Sequence, residues 1–260
     1  IFKPNAGPQT DFLAAGEREV LYGGSAGGGK SYAMLADPLR FMGHPAFSGL
    51  LLRHTTEELR ELIFKSQEMY PKIWPGIKWS ERKMQWTAPS GARLWMSYLD
   101  KEDDVLRYQG LAFSWIGFDE LTQWPTPFAW NYMRSRLRST ASDLPVYMRA
   151  TTNPGGRGHH WVKKMFIDPA SSGESFDATD IETSEVLRYP AGHSKAGKPL
   201  FKRRFIPARL SDNPYLAETG DYEAMLLSLP EQQRRQLLEG DWDIKEGAAF
   251  TEFNRQIHVV

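Results

Sequence analysis

Apolar residues recur along this chain in two rhythms, and their alternation predicts the fold before any single residue is weighed. REVLYGG (18–24) has the continuous apolar run of a short buried strand, and the glycines that follow end it. SYAMLADPLRFM (31–42) has the apolar spacing of a helix, crossed by Pro38. SGLLLRH (48–54) reads as a second strand, and TEELRELIFKSQEMY (56–70) as an amphipathic helix with a Thr cap at its start. This βαβα order predicts a parallel sheet covered on both faces. IKWS, KMQWT and ARLWMSY are short alternating segments separated by SERK and APSG, expected as antiparallel additions at one edge. FSWIGFDE (113–120) is apolar until it ends in two acids, and PVYMRATTNPGG (145–156) is a buried strand that ends in polar residues and then Pro-Gly-Gly.

From 168 to about 200 the chain turns to Ser, Gly, Asp, Lys and Pro, and SSGESFDATD has neither period, which predicts a long irregular excursion. RRFIPARLSDNPYL then reads as a strand, and YEAMLLSLPEQQRRQLLEGDW as one or two helices broken at Pro230. The expected division is a core over 1–200 and, over 201–260, a small helical lid followed by the start of a linker to a further domain.

Composition adds mainly exclusions. Lys plus Arg and Asp plus Glu both number 32 in 260 residues, so the whole-chain field points to no nucleic acid, membrane or acidic partner. There is no cysteine, which excludes disulfides and cysteine-ligated zinc. No apolar run approaches a membrane span. The opening IFKPNAGPQT has neither an initiator Met nor a signal-like segment, so the start is expected to have been trimmed or to be disordered upstream.

Candidate chemistry starts where the first strand ends. Glycine at high density costs backbone entropy and buries no side chain, so LYGGSAGGGKSY needs a reason. Gly24-Ser25-Ala26-Gly27-Gly28-Gly29-Lys30-Ser31 matches G-x-x-x-x-G-K-[ST] without a gap, between a predicted strand and a predicted helix. Backbone N–H groups must turn inward around phosphate oxygens, and side chains would block that approach. Lys30 would bridge the β- and γ-phosphates, and Ser31 would ligate Mg²⁺. Such a loop needs a second strand that delivers a carboxylate to the metal, and Trp115-Ile-Gly-Phe-Asp119-Glu120 has that form, with Asp119 as the metal acid. Glu120, directly after it, is the candidate general base for an attacking water. Activating water beside the γ-phosphate favours hydrolysis over transfer to a small molecule, hence an NTPase motor or switch. Thr151, Thr152 and Asn153 would bring hydroxyl and amide groups to the same phosphate.

Other polar clusters carry less. His159-His160 lacks a Cys or a third nearby His to supply a metal ligand set. Lys202-Arg203-Arg204 and the series Arg134, Arg136, Arg138 are the best local basic clusters for a DNA backbone, and read first as solvated faces or subunit contacts.

With these motifs in place, the chain resembles the ATPase domain of a bacteriophage terminase large subunit, the motor that packages DNA into a preformed capsid. GGSAGGGKS, LLRHTTEEL, LRYQGLAFSWIGFDE, ATTNPGG, RLSDNPYL and LLEGDWDIKEGAAFTEF carry the resemblance. The last two stand outside the nucleotide motifs and separate terminases from helicases and AAA+ proteins. The resemblance implies an ASCE-type P-loop NTPase, a mostly parallel sheet flanked by helices with a small C-terminal helical lid. It implies ATP and Mg²⁺ as cofactors and places Gln9 on the adenine. Thr152 and Asn153 fall on the family's coupling motif, and Arg107 sits where a finger enters a neighbour's site, with Arg53, Arg134, Arg136 and Arg138 as competitors. The implied partners are double-stranded DNA, the portal protein, the small terminase subunit and further copies in a ring on the procapsid, with no membrane. The implied location is the host cell cytoplasm, transiently at the portal and outside the mature virion. An RNase H-like nuclease domain follows the ATPase domain in the family. This chain stops at FNRQIHVV, about where that domain should begin, so it is expected to hydrolyse ATP without cutting DNA. A helicase-like or AAA+ translocase, or a nucleotide-gated assembly module with little turnover, are the rival readings.

Overall fold

A computed structural model of the chain describes residues 3–244. The predicted linker start and the tail motif beyond Ile244 lie outside the described residues. Nine strands form one sheet: β1 (Glu19–Gly24), β2 (Ser48–Arg53), β3 (Lys78–Ser80), β4 (Gln85–Thr87), β5 (Arg93–Tyr98), β6 (Trp115–Asp119), β7 (Tyr147–Thr152), β8 (Ser175–Asp177) and β9 (Lys202–Ala208). Their order across the sheet is β3-β4-β5-β2-β6-β7-β1-β9-β8. The six strands from β5 to β9 in this order run parallel, and the outer strands pair antiparallel. The strand that enters the glycine loop and the strand that ends in Asp119 are therefore separated by β7.

Period-two alternation divides the apolar strand residues between two faces. Leu21, Leu50, Leu52, Ile116, Phe118 and Met148 pack on one side with Trp130 of helix α4 (Phe128–Arg134) and Trp161 of α5 (His159–Val162). On the other side Leu51, Leu94 and Trp115 meet α2 (Lys30–Ala36) and α3 (Thr56–Ile73), while Val20, Tyr22 and Ile206 meet Phe12 of α1 (Pro8–Ala14). Every residue of β1, β6 and β7 is buried, the expected state of central parallel strands. Helix α3 begins as its sequence predicts: the Thr55 hydroxyl accepts from the Glu58 N–H, and the Glu58 carboxylate accepts from the Thr55 N–H in return. The segment expected to be helical through Pro38 leaves the α form at Ala36 and continues as a 3₁₀ turn over Asp37–Phe41.

The sheet departs from the sequence expectations in three places. ARLWMSY is not an antiparallel addition to the core strand beside it: β5 runs parallel to β2 and antiparallel only to β4. The tight APSG turn makes β5 antiparallel to β4 alone, so the antiparallel additions are β3 and β4, outside β5. The excursion after 168 contains a short strand, β8, which pairs antiparallel with β9. The sheet also takes in β9, which the boundary at 201 assigned to the lid; β9 lies parallel to β1 in direct register, Glu19 opposite Arg203 and Gly24 opposite Ala208. Beyond it follow the short helices α6 (Pro214–Ala217), α7 (Asp221–Leu227) and α8 (Glu231–Arg234), the last continued by a wide turn over Arg235–Glu239.

At the amino ends of the central strands lies a buried charge cluster. Glu19 accepts from Arg203 Nε at 2.7 Å and from Arg134, and is fully buried. Burial by itself raises its pKa, but the Arg203 and Arg134 guanidiniums outweigh burial and hold it below the ordinary value of 4.5. Its folded value is depressed, so this carboxylate stabilises the fold at neutral pH, and the contribution is lost as pH falls below about 4.5. Glu19→Gln should cost about 3 kcal/mol at pH 7, because Arg203 stays buried without a counter-charge. Urea denaturation at pH 7 and pH 4 measures this, and the gap between wild type and variant should narrow at the lower pH.

Candidate nucleotide site

The glycine loop leaves β1 at the carboxyl end of the sheet. Gly24 has φ 141°, and a Cβ there would lie 2.3 Å from the Ala208 carbonyl oxygen, so only glycine lets β1 and β9 stay in register into the loop. The loop is gripped from outside. The Ser25 N–H donates to Ala208 O at 2.8 Å and the Ala26 N–H to Leu237 O at 2.6 Å. Tyr22 Oη donates to Gly28 O at 2.9 Å, Asn213 Nδ2 to Gly27 O at 2.7 Å and Gln9 Nε2 to Gly29 O at 3.0 Å. The backbone N–H groups of Gly27, Gly28, Gly29, Lys30 and Ser31 find no acceptor among the described residues. Backbone donors in a folded chain are nearly always paired. A run of five successive donors around a lysine fits a phosphate group, which would accept several of them at once.

Lys30, the first residue of α2, is buried. Its Nζ donates to Ser25 O at 2.6 Å and to Asn153 Oδ1 at 2.8 Å. Burial pushes its pKa down, and Glu120 and Asp119 oppose that shift. Two strand ends separated in sequence thus meet at one ammonium group.

Asp119 closes β6, fully buried, and accepts from Arg53 Nη1 and from Thr151 Oγ1. Glu120 follows in the left-handed region, φ 60° and ψ 56°, which a non-glycine residue enters at a cost of about 1–3 kcal/mol. Extended residues at 119 and 120 would face opposite sides of the sheet. The left-handed turn lets both carboxylates act on Lys30 and Arg53. Burial and the Asp119 charge raise the Glu120 pKa, while Lys30, Arg53 and the Asn153 backbone pull it back. A carboxylate raised in this way is a better proton acceptor than an ordinary one.

The predicted residues do not all converge. Thr152 shares a 2.7 Å hydrogen bond with Thr122 Oγ1, beyond the Asp-Glu pair; its neighbour Thr151 is the threonine that reaches Asp119. Arg107 is exposed on the 3₁₀ segment Glu102–Tyr108, where it donates to Tyr98 O and lies between the Tyr98 and Tyr108 rings. Among its competitors, Arg53 is committed to Asp119 and Arg134 to Glu19 within the same chain. Arg138 donates to Gly110 O and Leu111 O, and Arg136 to Ser135 Oγ. The Lys202-Arg203-Arg204 run does not form one basic face, since Arg203 is buried on Glu19.

Three contributions escaped the sequence reading. Arg53 belongs to the site's own charge network rather than to a neighbour's, and Glu58 and Gln123 extend that network: Arg53 Nε lies 3.6 Å from Glu58, which accepts from Gln123 at 2.8 Å. Thr122 pins the exit of β7 through its bond to Thr152. A cavity of about 480 Å³ opens beside the loop between Gln9, Tyr32, Asn213, Tyr215 and Leu216. Its aromatic walls and the Gln9 amide suit a base, and the S-D-N-P-Y composition of its far side gave no periodic signal.

The sequence pattern of the family described as "Terminase large subunit, T4likevirus-type, N-terminal" matches residues 21–257. The chain belongs to this family. Its place within the family is the N-terminal ATPase domain of the large subunit. The fold agrees with that assignment. The large terminase of a thermophilic bacteriophage, solved in complex with ADP, superposes with TM-score 0.64 at 18% identity, over 99% of this chain and 58% of that one. The large terminase ATPase domain of Thermus phage P74-26 gives TM-score 0.58 at 14% identity, over 93% of this chain and 94% of that one. At such identities the likeness is one of fold, here the P-loop NTPase sheet. The chain spans 58% of the length of the ADP-bound large terminase. No curated protein sequence matches it.

Within the terminase family frame, two C-terminal motifs that the sequence places outside the nucleotide site lie against it. RLSDNPYL supplies Asn213 to the Gly27 carbonyl, and LLEGDW supplies Leu237 to the Ala26 N–H.

Proposed function

We propose that this chain hydrolyses ATP at the Lys30, Asp119 and Glu120 site, and that in its parent protein the hydrolysis drives double-stranded DNA into a procapsid. The observation that carries the reading is the convergence of two strand ends on one buried ammonium: Lys30 held by Asn153 and flanked by Glu120 and Asp119. The nucleotide fits the residues present, because five consecutive loop N–H groups have no acceptor among the described residues and a base-sized cavity adjoins them. Ser31 and Asp119 supply hard oxygen donors suited to Mg²⁺, which when bound would neutralise charge on the phosphates.

In this reading the loop N–H groups of Gly27 to Ser31 and the Lys30 ammonium hold and orient the triphosphate of the substrate, while the Ser25 and Ala26 N–H groups stay on Ala208 O and Leu237 O and shape the loop from outside. Gln9 faces the base cavity while its amide nitrogen stays on Gly29 O, so base recognition and loop shape share one side chain. Glu120 takes the proton from the attacking water. Asn153, at the end of β7, exchanges its bond to Lys30 for whatever the phosphate leaves available, and through Asn153 and Thr152 the exit of β7 registers nucleotide state. Arg107, exposed and paired with no carboxylate among the described residues, reaches a neighbouring copy's site in a ring. Portal protein and small terminase subunit are the remaining partners, met in the host cytoplasm and at the portal. DNA cleavage belongs to a further domain of the parent.

The helicase-like alternative is separated by a strand-displacement assay with a fluorescent forked duplex, ATP and Mg²⁺. The proposal predicts ATP turnover with no strand separation and no cleavage of the duplex. Unwinding coupled to turnover would replace the packaging reading.

A further inference from the structure

The exit of β7 runs through Pro154-Gly155-Gly156-Arg157-Gly158 into α5, whose first residue, His159, is buried. Its Nδ1 accepts from the Gly155 N–H at 2.8 Å, and its Nε2 lies 3.1 Å from the Trp242 carbonyl oxygen. A ring that accepts at Nδ1 and faces a carbonyl at Nε2 is neutral, with its proton on Nε2. The imidazole also stacks on the Trp242 indole, centroids 5.4 Å apart and planes at 21°. One side chain therefore joins the loop behind Asn153 to the segment over residues 235–244.

That segment is in turn seated on the glycine loop. Leu237 O accepts from the Ala26 N–H at 2.6 Å. Gly240 has φ 65°, and a Cβ there would lie 2.7 Å from Ser25 N and 3.0 Å from Gly24 Cα. The Trp242 ring meets Phe205 of β9 edge-on and would stand 3.4 Å from a Cβ at Gly23. The segment is thus clasped at two points, by the loop's outer face and by His159. A second tie from the same region, Lys163 to Asp243 at 3.3 Å, has an exposed carboxylate and adds little.

We propose that His159 is a positioning residue that transmits nucleotide state from Asn153, through the Gly155 turn, to the C-terminal segment 235–244. The inference rests on the nucleotide-binding reading above. Asn153 is bonded to Lys30, so a phosphate that takes up the lysine changes the hold on the β7 exit. The Gly155 N–H and the Trp242 carbonyl share one rigid ring, so a displacement of the first is passed to the second rather than absorbed by a flexible side chain. The bridge needs both nitrogens: the ring's shape alone would keep the packing and lose the connection.

Hydrogen exchange of the 235–244 amides, with and without Mg²⁺ and a non-hydrolysable ATP analogue, tests this on wild type, His159→Phe and His159→Gln. Phenylalanine keeps the stacked ring without either nitrogen, and glutamine keeps a donor able to reach Trp242 O. Nucleotide affinity is measured in parallel by titration calorimetry. Wild type should bind the analogue and change its 235–244 exchange rates about fivefold or more, the scale of ordinary coupling between sites. His159→Phe should bind with unchanged affinity and show exchange in this segment that no longer responds, and His159→Gln should recover part of the response. A His159→Phe segment that responds as wild type does, or a wild-type segment that ignores bound nucleotide, overturns the proposal and leaves the nucleotide site standing. Failure of the wild-type protein to bind the analogue overturns both.

Discussion

ATP turnover by a Glu120→Gln protein is expected to fall by about 10²–10⁴-fold, the usual contribution of a positioned general base. The substitution keeps the size of the side chain and removes its capacity to accept a proton. It also removes a negative charge beside Lys30, so nucleotide affinity should hold or rise. Single-turnover phosphate release at saturating ATP and Mg²⁺ separates the two effects. A loss of rate with retained binding assigns Glu120 to the chemical step. Equal rates for variant and wild type would remove the catalytic role and favour a nucleotide-gated assembly module.

Arg107→Ala should lower turnover by about 10³-fold or more, the scale of a charge-stabilising arginine supplied by a neighbour. The loss should be confined to protein concentrations at which copies associate, and wild-type turnover per chain should rise steeply over that range. Among the described residues Arg107 donates to Tyr98 O and lies over the Tyr98 and Tyr108 rings at the surface, so its removal should leave urea stability nearly unchanged. Arg134→Ala makes a useful contrast. It strips Glu19 of one of two counter-charges and should destabilise the fold without a specific effect on cooperativity. Unchanged, concentration-dependent turnover in Arg107→Ala would move the finger elsewhere, to Arg136 or Arg138.

Most of the strands and the long helices were legible because burial on both faces leaves an uninterrupted apolar run, as in VLYGG and WIGF, and a capped helix announces itself, as Thr55 and Glu58 do. The glycine loop and the Asp-Glu pair were legible for a different reason. Phosphate chemistry restricts which residues can stand at each position, so spacing carries meaning. What escaped was pairing between distant segments. Nothing local in RRFIPARL says that it lies beside β1, because a buried strand reads the same in any sheet position. Arg53 at the end of β2 looked like any arginine at a strand exit until β6 placed Asp119 next to it. Thr151 and Thr152 are chemically identical, and only the strand register, Asp119 opposite Thr151, decides which one turns toward the acid. The same limit hid the cavity beside the loop and the hold of residues 235–244 on that loop, which depend on how the C-terminal helices fold back.

The central claim is that Lys30, Asp119 and Glu120 form one hydrolytic site, and Mg²⁺-dependent phosphate release from ATP by wild type and Lys30→Ala tests it most directly. Lys30 Nζ is the point at which the loop, the Asp-Glu strand and Asn153 meet, so its removal should abolish turnover and strongly weaken ATP binding while the fold remains intact by circular dichroism. Phosphate release by folded Lys30→Ala at the wild-type rate would contradict the account.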